Sequence, residues 1–232
     1  MSSFLKKAAK SILNKAGLVP KGASSKYYFV TDASKVFELE YGHYYSLKEQ
    51  RAIDKNKSPI PWFTYPAIDY LIQLDFSDKV MLEWGAGNSS LFFSSRVKEI
   101  FSVEHNKEWY DKVKSFGLKN QQISFAEEQL YADFPKKFQR EFDLILIDGI
   151  ERNDCSVTAL GLLKKDGIII LDNSDRHADI AATFRNNNLI QIDFHGFGPI
   201  NNYTWTTSIF LSRNVAVKPI GRQPEIPIGG GF

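Results

Sequence analysis

At 232 residues the chain has room for one α/β domain with a modest extension, and two full domains are not expected. Hydrophobic residues make up 43% and charged residues 24%, which suits a core under a soluble surface, and a net charge of +2 gives no general electrostatic case for nucleic acid. The lone cysteine, Cys155, excludes an internal disulfide and a cysteine-rich zinc site, and it fits a reducing, cytoplasmic setting.

Residues 1–60 read as an N-terminal extension. Lys6, Lys7, Lys10, Lys15, Lys21 and Lys26 meet no acid up to residue 31, and Phe4, Leu5, Ala8, Ala9, Ile12, Leu13 and Ala16 recur at three- and four-residue spacing. That pattern is a basic amphipathic helix. Its lysines interrupt the apolar stretch, which argues against a secretory signal, and no segment is long enough to span a bilayer. Such a helix docks on its own domain, on a second copy in a homo-oligomer, or on an anionic membrane surface. Residues 27–46, rich in tyrosine and phenylalanine, read as a partly irregular aromatic cover that includes His43, either a packed residue or a base. After a polar loop at Asp54–Pro59 comes Ile60-Pro61-Trp62-Phe63-Thr64-Tyr65-Pro66, rigid and aromatic, leading into a helix over Ala67–Leu74. Trp62 and Phe63 either border a ligand pocket or simply pack.

The apolar run Val80-Met81-Leu82 ends in Glu83, the turn Trp84-Gly85-Ala86-Gly87-Asn88-Ser89 follows, and Ser90–Lys98 reads as a helix. This is the first βα step of a nucleotide-binding sheet, where glycines allow close backbone approach and a helix N-terminus offers free N–H groups. A dinucleotide turn would place a third glycine at position 90, where the chain has Ser90. Glu83 would repel a pyrophosphate and accept hydrogen bonds from an ammonium group, as in S-adenosylmethionine. NAD(P) binding and an ordinary tight turn remain the alternatives at this point.

The second strand, Glu99–Glu104, ends in an acid 21 positions after Glu83, near the spacing at which such folds place a carboxylate on ribose hydroxyls. His105 and Asn106 follow and flank the same ligand, and Asn106–Leu118 reads as a helix. A third strand at Gln122–Ala126 leads to Glu127, which would accept from an adenine amino group. The fourth strand, Phe142–Ile147, is a near-continuous apolar run suited to a central parallel strand, with Asp148 at its carboxyl end facing the ligand crevice. Val157–Leu163 is expected helical, Lys165-Asp166-Gly167 a turn, and Ile168–Leu171 the fifth strand, ending in Asp172-Asn173. A helix over Asp175–Asn186 and a strand pair, Gln191–Phe197 with Tyr203–Leu211, close the domain at about residue 215. Residues 216–232, rich in proline and glycine, read as an extended or loosely held tail.

Leu82-Glu83-Trp84-Gly85-Ala86-Gly87-Asn88-Ser89, Val103-Glu104-His105, Asp143–Gly149 and Leu162–Asn173 together resemble the class I S-adenosylmethionine-dependent methyltransferases over roughly residues 62–212. The segment Pro61–Pro66 looks like the lead-in of a bacterial subgroup resembling polysaccharide and secondary-metabolite methyltransferases. The resemblance implies a Rossmann-like seven-stranded sheet with helices on both faces and a closing antiparallel strand pair, spanning residues 61–215. It implies S-adenosylmethionine bound by Glu83, Gly85, Gly87, Asn88, Ser89, Glu104, His105, Glu127 and Asp148, with methyl transfer to a hydroxyl of a small molecule or sugar and no nucleic-acid partner. Asp148 is the expected catalytic residue. By analogy with catechol-type and macrocin-type O-methyltransferases, Asp148, Asp172 and Asn173 are the expected ligands of a Mg²⁺ ion, hard oxygen donors suited to that cation. Without a metal, Asp148, His43 and His177 compete as the base. An NAD(P)-dependent oxidoreductase and a non-catalytic S-adenosylmethionine-binding partner in an assembly are the rival readings.

Overall fold

The computed structural model describes residues 33–230. The basic N-terminal stretch, with Tyr27, Tyr28 and Phe29, lies outside the described residues. One sheet runs in the order β3-β2-β1-β4-β5-β7-β6, with β1 Val80–Trp84, β2 Glu99–Glu104, β3 Gln121–Phe125, β4 Phe142–Ile147, β5 Leu163–Asp172, β6 Ile190–Gly196 and β7 Trp205–Leu211. Strands β1 to β5 pair in parallel, and β7 inserts antiparallel between β5 and β6.

The central strands are mostly apolar because both faces are covered. Strand alternation sorts them into two cores. Met81, Ile100, Leu144, Leu146, Ile168 and Ile170 pack under Leu71, Phe92 and Phe93. Those come from helices α2 (Tyr65–Leu71) and α3 (Asn88–Ser94). Leu82, Trp84, Val103, Ile145, Ile147 and Ile169 pack on the other face against Cys155, Ala159 and Phe184. Helices α4 (Lys107–Lys114), α5 (Glu128–Tyr131), α6 (Arg152–Leu162) and α7 (Ala178–Asn186) complete the domain. In front of it, a π-helical turn at Val36–Glu40 and α1 (His43–Glu49) form the described part of the aromatic cover. No described helix is long and apolar enough to cross a membrane.

Register decides what meets at the carboxyl edge. Trp84 lies opposite both Val103 and Ile147, so Gly85, Glu104 and Asp148 emerge side by side, and Ile147 opposite Leu171 brings Asp172 up next.

Three local expectations are revised. The Lys165-Asp166-Gly167 turn is instead part of β5, which starts directly after α6 and shifts register between Phe142 and Leu144. Lys164 is held there by Asp143 at 2.9 Å, and Gly167 O accepts from Ser212 N at 3.1 Å. The helix expected from Asp175 is broken at His177 (φ −131°, ψ 52°) into a 3₁₀ turn at Ser174–Arg176 and α7. The tail is pinned at its start, where Asp75 N donates to Lys218 O at 2.8 Å and Ile220 N to Gln73 O at 2.9 Å.

Candidate functional site

A cleft of about 1010 Å³ opens over the carboxyl ends of β1, β2 and β4. One wall is Gly85–Ser89 with Glu104, His105 and Asn106; the other is Gln50–Ala52, Trp62, Asp148–Ile150 and Ile200.

The glycine turn is shaped by its neighbours. Gly85 has φ +86°, and a Cβ there would lie 3.0 Å from Asp148 O, so the close approach of β1 and β4 demands glycine. At Gly87 a Cβ would rest on the Trp109 ring at an ordinary 3.5 Å. Ser90, where a dinucleotide turn has its third glycine, is buried. Its hydroxyl accepts from Gly87 N at 3.0 Å and donates to Glu83.

That bond, with Ser89 Oγ at 2.9 Å and Ser102 Oγ at 2.6 Å, takes up the Glu83 carboxylate. Glu83 is 0% exposed and does not line the cleft. The expected role of gripping a ligand ammonium therefore does not fit this arrangement: Glu83 sits beneath the loop and fastens α3 and β2 to β1. Burial pushes its carboxyl up to about 7, with the three serine hydroxyls opposing the rise.

Glu104 does face the cleft. Oε1 accepts from His105 N at 2.9 Å and Asn106 N at 2.8 Å, and Oε2 from Ala86 N at 3.2 Å. A single carboxylate thus ties the glycine turn to the end of β2. A carboxylate has roughly four acceptor positions, which leaves one for a ligand. Asn106 caps α4 by accepting from Trp109 N at 2.9 Å. Trp109 in turn donates from Nε1 to Ala86 O at 2.5 Å and carries Lys112 Nζ 4.1 Å from its ring centroid. Trp109 and Lys112 line the cleft. Glu127 is exposed and stands outside the cleft. Among the described residues, two buried polar atoms near the floor lack hydrogen-bond partners, Tyr131 Oη and His105 Nδ1. The His105 atom is 3.2 Å from Glu104 Oε1, but without hydrogen-bond geometry.

Asn88 donates from Nδ2 to Ala52 O at 2.6 Å, strapping the segment after α1 across the cleft. Ser46 Oγ holds the same strap through Arg51 O at 2.6 Å. Of the aromatic lead-in, Phe63 is core, whereas Trp62 stays 46% exposed on the cleft wall. His43 is buried against Phe37 with ring centroids 4.2 Å apart, 3.3 Å from Tyr65 Oη and away from the cleft, so it is a packing residue. His177 lies in a separate recess with Arg152 and Arg176.

The metal expectation is also revised. Asp172 Oδ1 already accepts from Trp205 Nε1 at 3.0 Å and Thr207 Oγ1 at 2.6 Å. Between Asp148 and Asn173 lies the Arg152 guanidinium, 3.1 Å from Asp148 Oδ1 and 3.3 Å from Asn173 Oδ1. Among the described residues no group of three or more acids, histidines or cysteines converges on a metal position. With a cation of the chain's own between them, Asp148 and Asn173 do not fit a Mg²⁺ ligand set. Burial raises the carboxyl of Asp148 to about 6 against the pull of Arg152; it raises Asp172 as well, with Asp148 adding to the rise.

No protein-family model matches the sequence, and no curated protein matches it. Among solved structures, precorrin-6y C5,15-methyltransferase from Geobacter metallireducens is similar at TM-score 0.50 and 18% identity, over 63% of this chain and 86% of that one. A candidate methyltransferase from Streptococcus mutans in complex with SAH aligns at TM-score 0.47 and 13% identity, over 62% and 95%. A candidate caffeoyl-CoA O-methyltransferase from Staphylococcus aureus aligns at 0.48 and 18%, over 63% and 81%. At such identities the likeness establishes the fold: the chain has the Rossmann-like, seven-stranded methyltransferase sheet.

Proposed function

We propose that the chain is an S-adenosylmethionine-dependent methyltransferase whose acceptor is a hydroxyl group on a small molecule or sugar. The observation that carries this reading is Glu104: 3% exposed, fixed by three main-chain N–H groups, and set at the cleft beside a glycine turn. A carboxylate held this way has one acceptor position left, which takes a ribose hydroxyl without reorganising. Gly85–Ser89 receives the amino-acid end, and Gly87, free of protein crowding, leaves the turn open to it. His105 and Trp109 complete the surroundings of the nucleoside.

S-adenosylmethionine supplies a methyl group on a cationic sulfur. The acceptor oxygen forms the new C–O bond as the C–S bond breaks, its electron pair remaining on sulfur. Orientation and exclusion of water do most of the work in such a displacement. Asp148 borders the acceptor side of the cleft and takes the hydroxyl proton. Trp62 offers its exposed indole face to a sugar or aromatic ring, with Arg51 and Ile200 beside it. A hydride-transfer reading is disfavoured because Ser90 is committed to closing the turn onto Glu83.

A thermal-shift panel of S-adenosylhomocysteine, NAD(H) and NADP(H) tests the reading. S-adenosylhomocysteine is expected to raise the melting temperature of the wild type and to leave Glu104→Ala unchanged. Stabilisation by NAD(H) alone would overturn the assignment.

A further inference from the structure

Arg152 opens α6 immediately after the acceptor-side loop, and its guanidinium is committed in an unusual way. Nε donates to Gly149 O at 2.9 Å, Nη1 to Asp172 O at 2.5 Å and to Asn173 Oδ1 at 3.3 Å, and Nη2 to Asp148 Oδ1 at 3.1 Å. Four oxygens from the ends of two neighbouring strands thus converge on one cation. Its side chain is only 15% exposed, and of five N–H donors a single one, on Nη2, is left over. The backbone on both sides is left-handed: Glu151, just before Arg152, has φ 47°, and Asn173, which supplies one acceptor, has φ 54°. Left-handed conformations at non-glycine residues are costly and are kept where the surroundings hold them.

We propose that Arg152 is a built-in replacement for a divalent ion: it fills the oxygen-lined position between β4 and β5, bars a metal from it, and makes this acceptor site metal-independent. A planar guanidinium suits the position because its fork can serve several oxygens at once and cannot lose its charge. The strand ends present hard oxygen donors, the class that Mg²⁺ and Mn²⁺ select, and the guanidinium stands among them. This inference concerns the chain's own ligand set and stands whether or not the acceptor is a sugar.

Mn²⁺ titration of the full-length protein, followed by electron paramagnetic resonance, tests it. Wild type is expected to leave the free-ion signal intact. Arg152→Ala, or Arg152→Gln if the alanine variant does not fold, is expected to bind Mn²⁺ at least about tenfold more tightly than wild type, and adding Asp148→Asn should remove that binding. Arg152→Lys keeps a cation in place and should behave like wild type. Chelator-reversible Mn²⁺ binding by the wild type that Asp148→Asn abolishes would overturn the proposal. So would an Arg152 variant that keeps its S-adenosylhomocysteine melting shift yet binds no more Mn²⁺ than wild type. Loss of that melting shift in the wild type would instead count against the methyl-transfer reading and leave the Mn²⁺ result standing.

Discussion

At the carboxyl ends of β1 and β2 one carboxylate gathers main-chain N–H groups, and at those of β4 and β5 one guanidinium gathers oxygens. On the first side, Glu104 gathers the N–H groups of Ala86, His105 and Asn106, Trp109 closes on Ala86 O, and Gly85 turns with φ +86° against Asp148 O. On the second side, Arg152 binds Asp148 and Asn173 while Trp205 and Thr207 hold Asp172. The first half therefore depends on backbone geometry that only a few residues allow. The second depends on ion pairs and hydrogen bonds among residues brought together by the sheet order.

The sharpest way to break the first half is at Gly85. Gly85→Val forces a β-branched side chain into a left-handed conformation, with its Cβ crowding the main chain of Asp148. We expect a loss of about 4 kcal/mol in denaturant unfolding, together with loss of S-adenosylhomocysteine binding. Wild-type stability in that variant would show that the turn is not held by the seam between β1 and β4.

This contrast also explains what could be read without a structure. The β1 turn, the acid at the end of β2 and the apolar β4 were legible because each is a local pattern: apolar run, acid, glycine, helix. The role of Glu83 was not, since its partners Ser89, Ser90 and Ser102 come from two different elements, and nothing in a lone acid before a glycine says that three hydroxyls will enclose it. Arg152 escaped for a similar reason. The spacing of Asp148 and Asp172 suggested a metal, and the arginine four residues after Asp148 gave no local signal, because it reaches back from the first position of α6 across a left-handed Glu151. Trp109 was not legible either, because the direction of its ring toward Ala86 depends on how α4 packs.

A smaller effect should separate a buried acid from a cleft acid. The carboxyl of Glu83 rises from the ordinary 4.5 to about 7 on folding, through burial. Because its folded value lies above its unfolded one, the stability it contributes is full below about pH 4.5 and is lost as pH rises through about 7. Between pH 5 and 8 the unfolding free energy of the wild type should therefore fall by up to about 3 kcal/mol more than that of Glu83→Gln. Parallel pH profiles for the two proteins would mean that the serines keep Glu83 ionised in the fold.

The smallest effect is expected at the rim. Trp62→Ala removes a side chain that is 46% exposed, so stability should change by no more than about 0.5 kcal/mol. Once an acceptor is in hand, its KM should rise while S-adenosylhomocysteine affinity holds. A matching loss of S-adenosylhomocysteine affinity would place Trp62 on the cofactor side of the cleft.

The central claim is that Glu104 and the Gly85–Ser89 turn grip the two ends of one S-adenosyl ligand. A crystal structure of the S-adenosylhomocysteine complex tests it most directly. The account predicts a ribose hydroxyl within hydrogen-bond distance of the Glu104 carboxylate, and the amino-acid end lying over the turn. Ligand seated away from Glu104, or with its ribose on the Asp148 side, would contradict it.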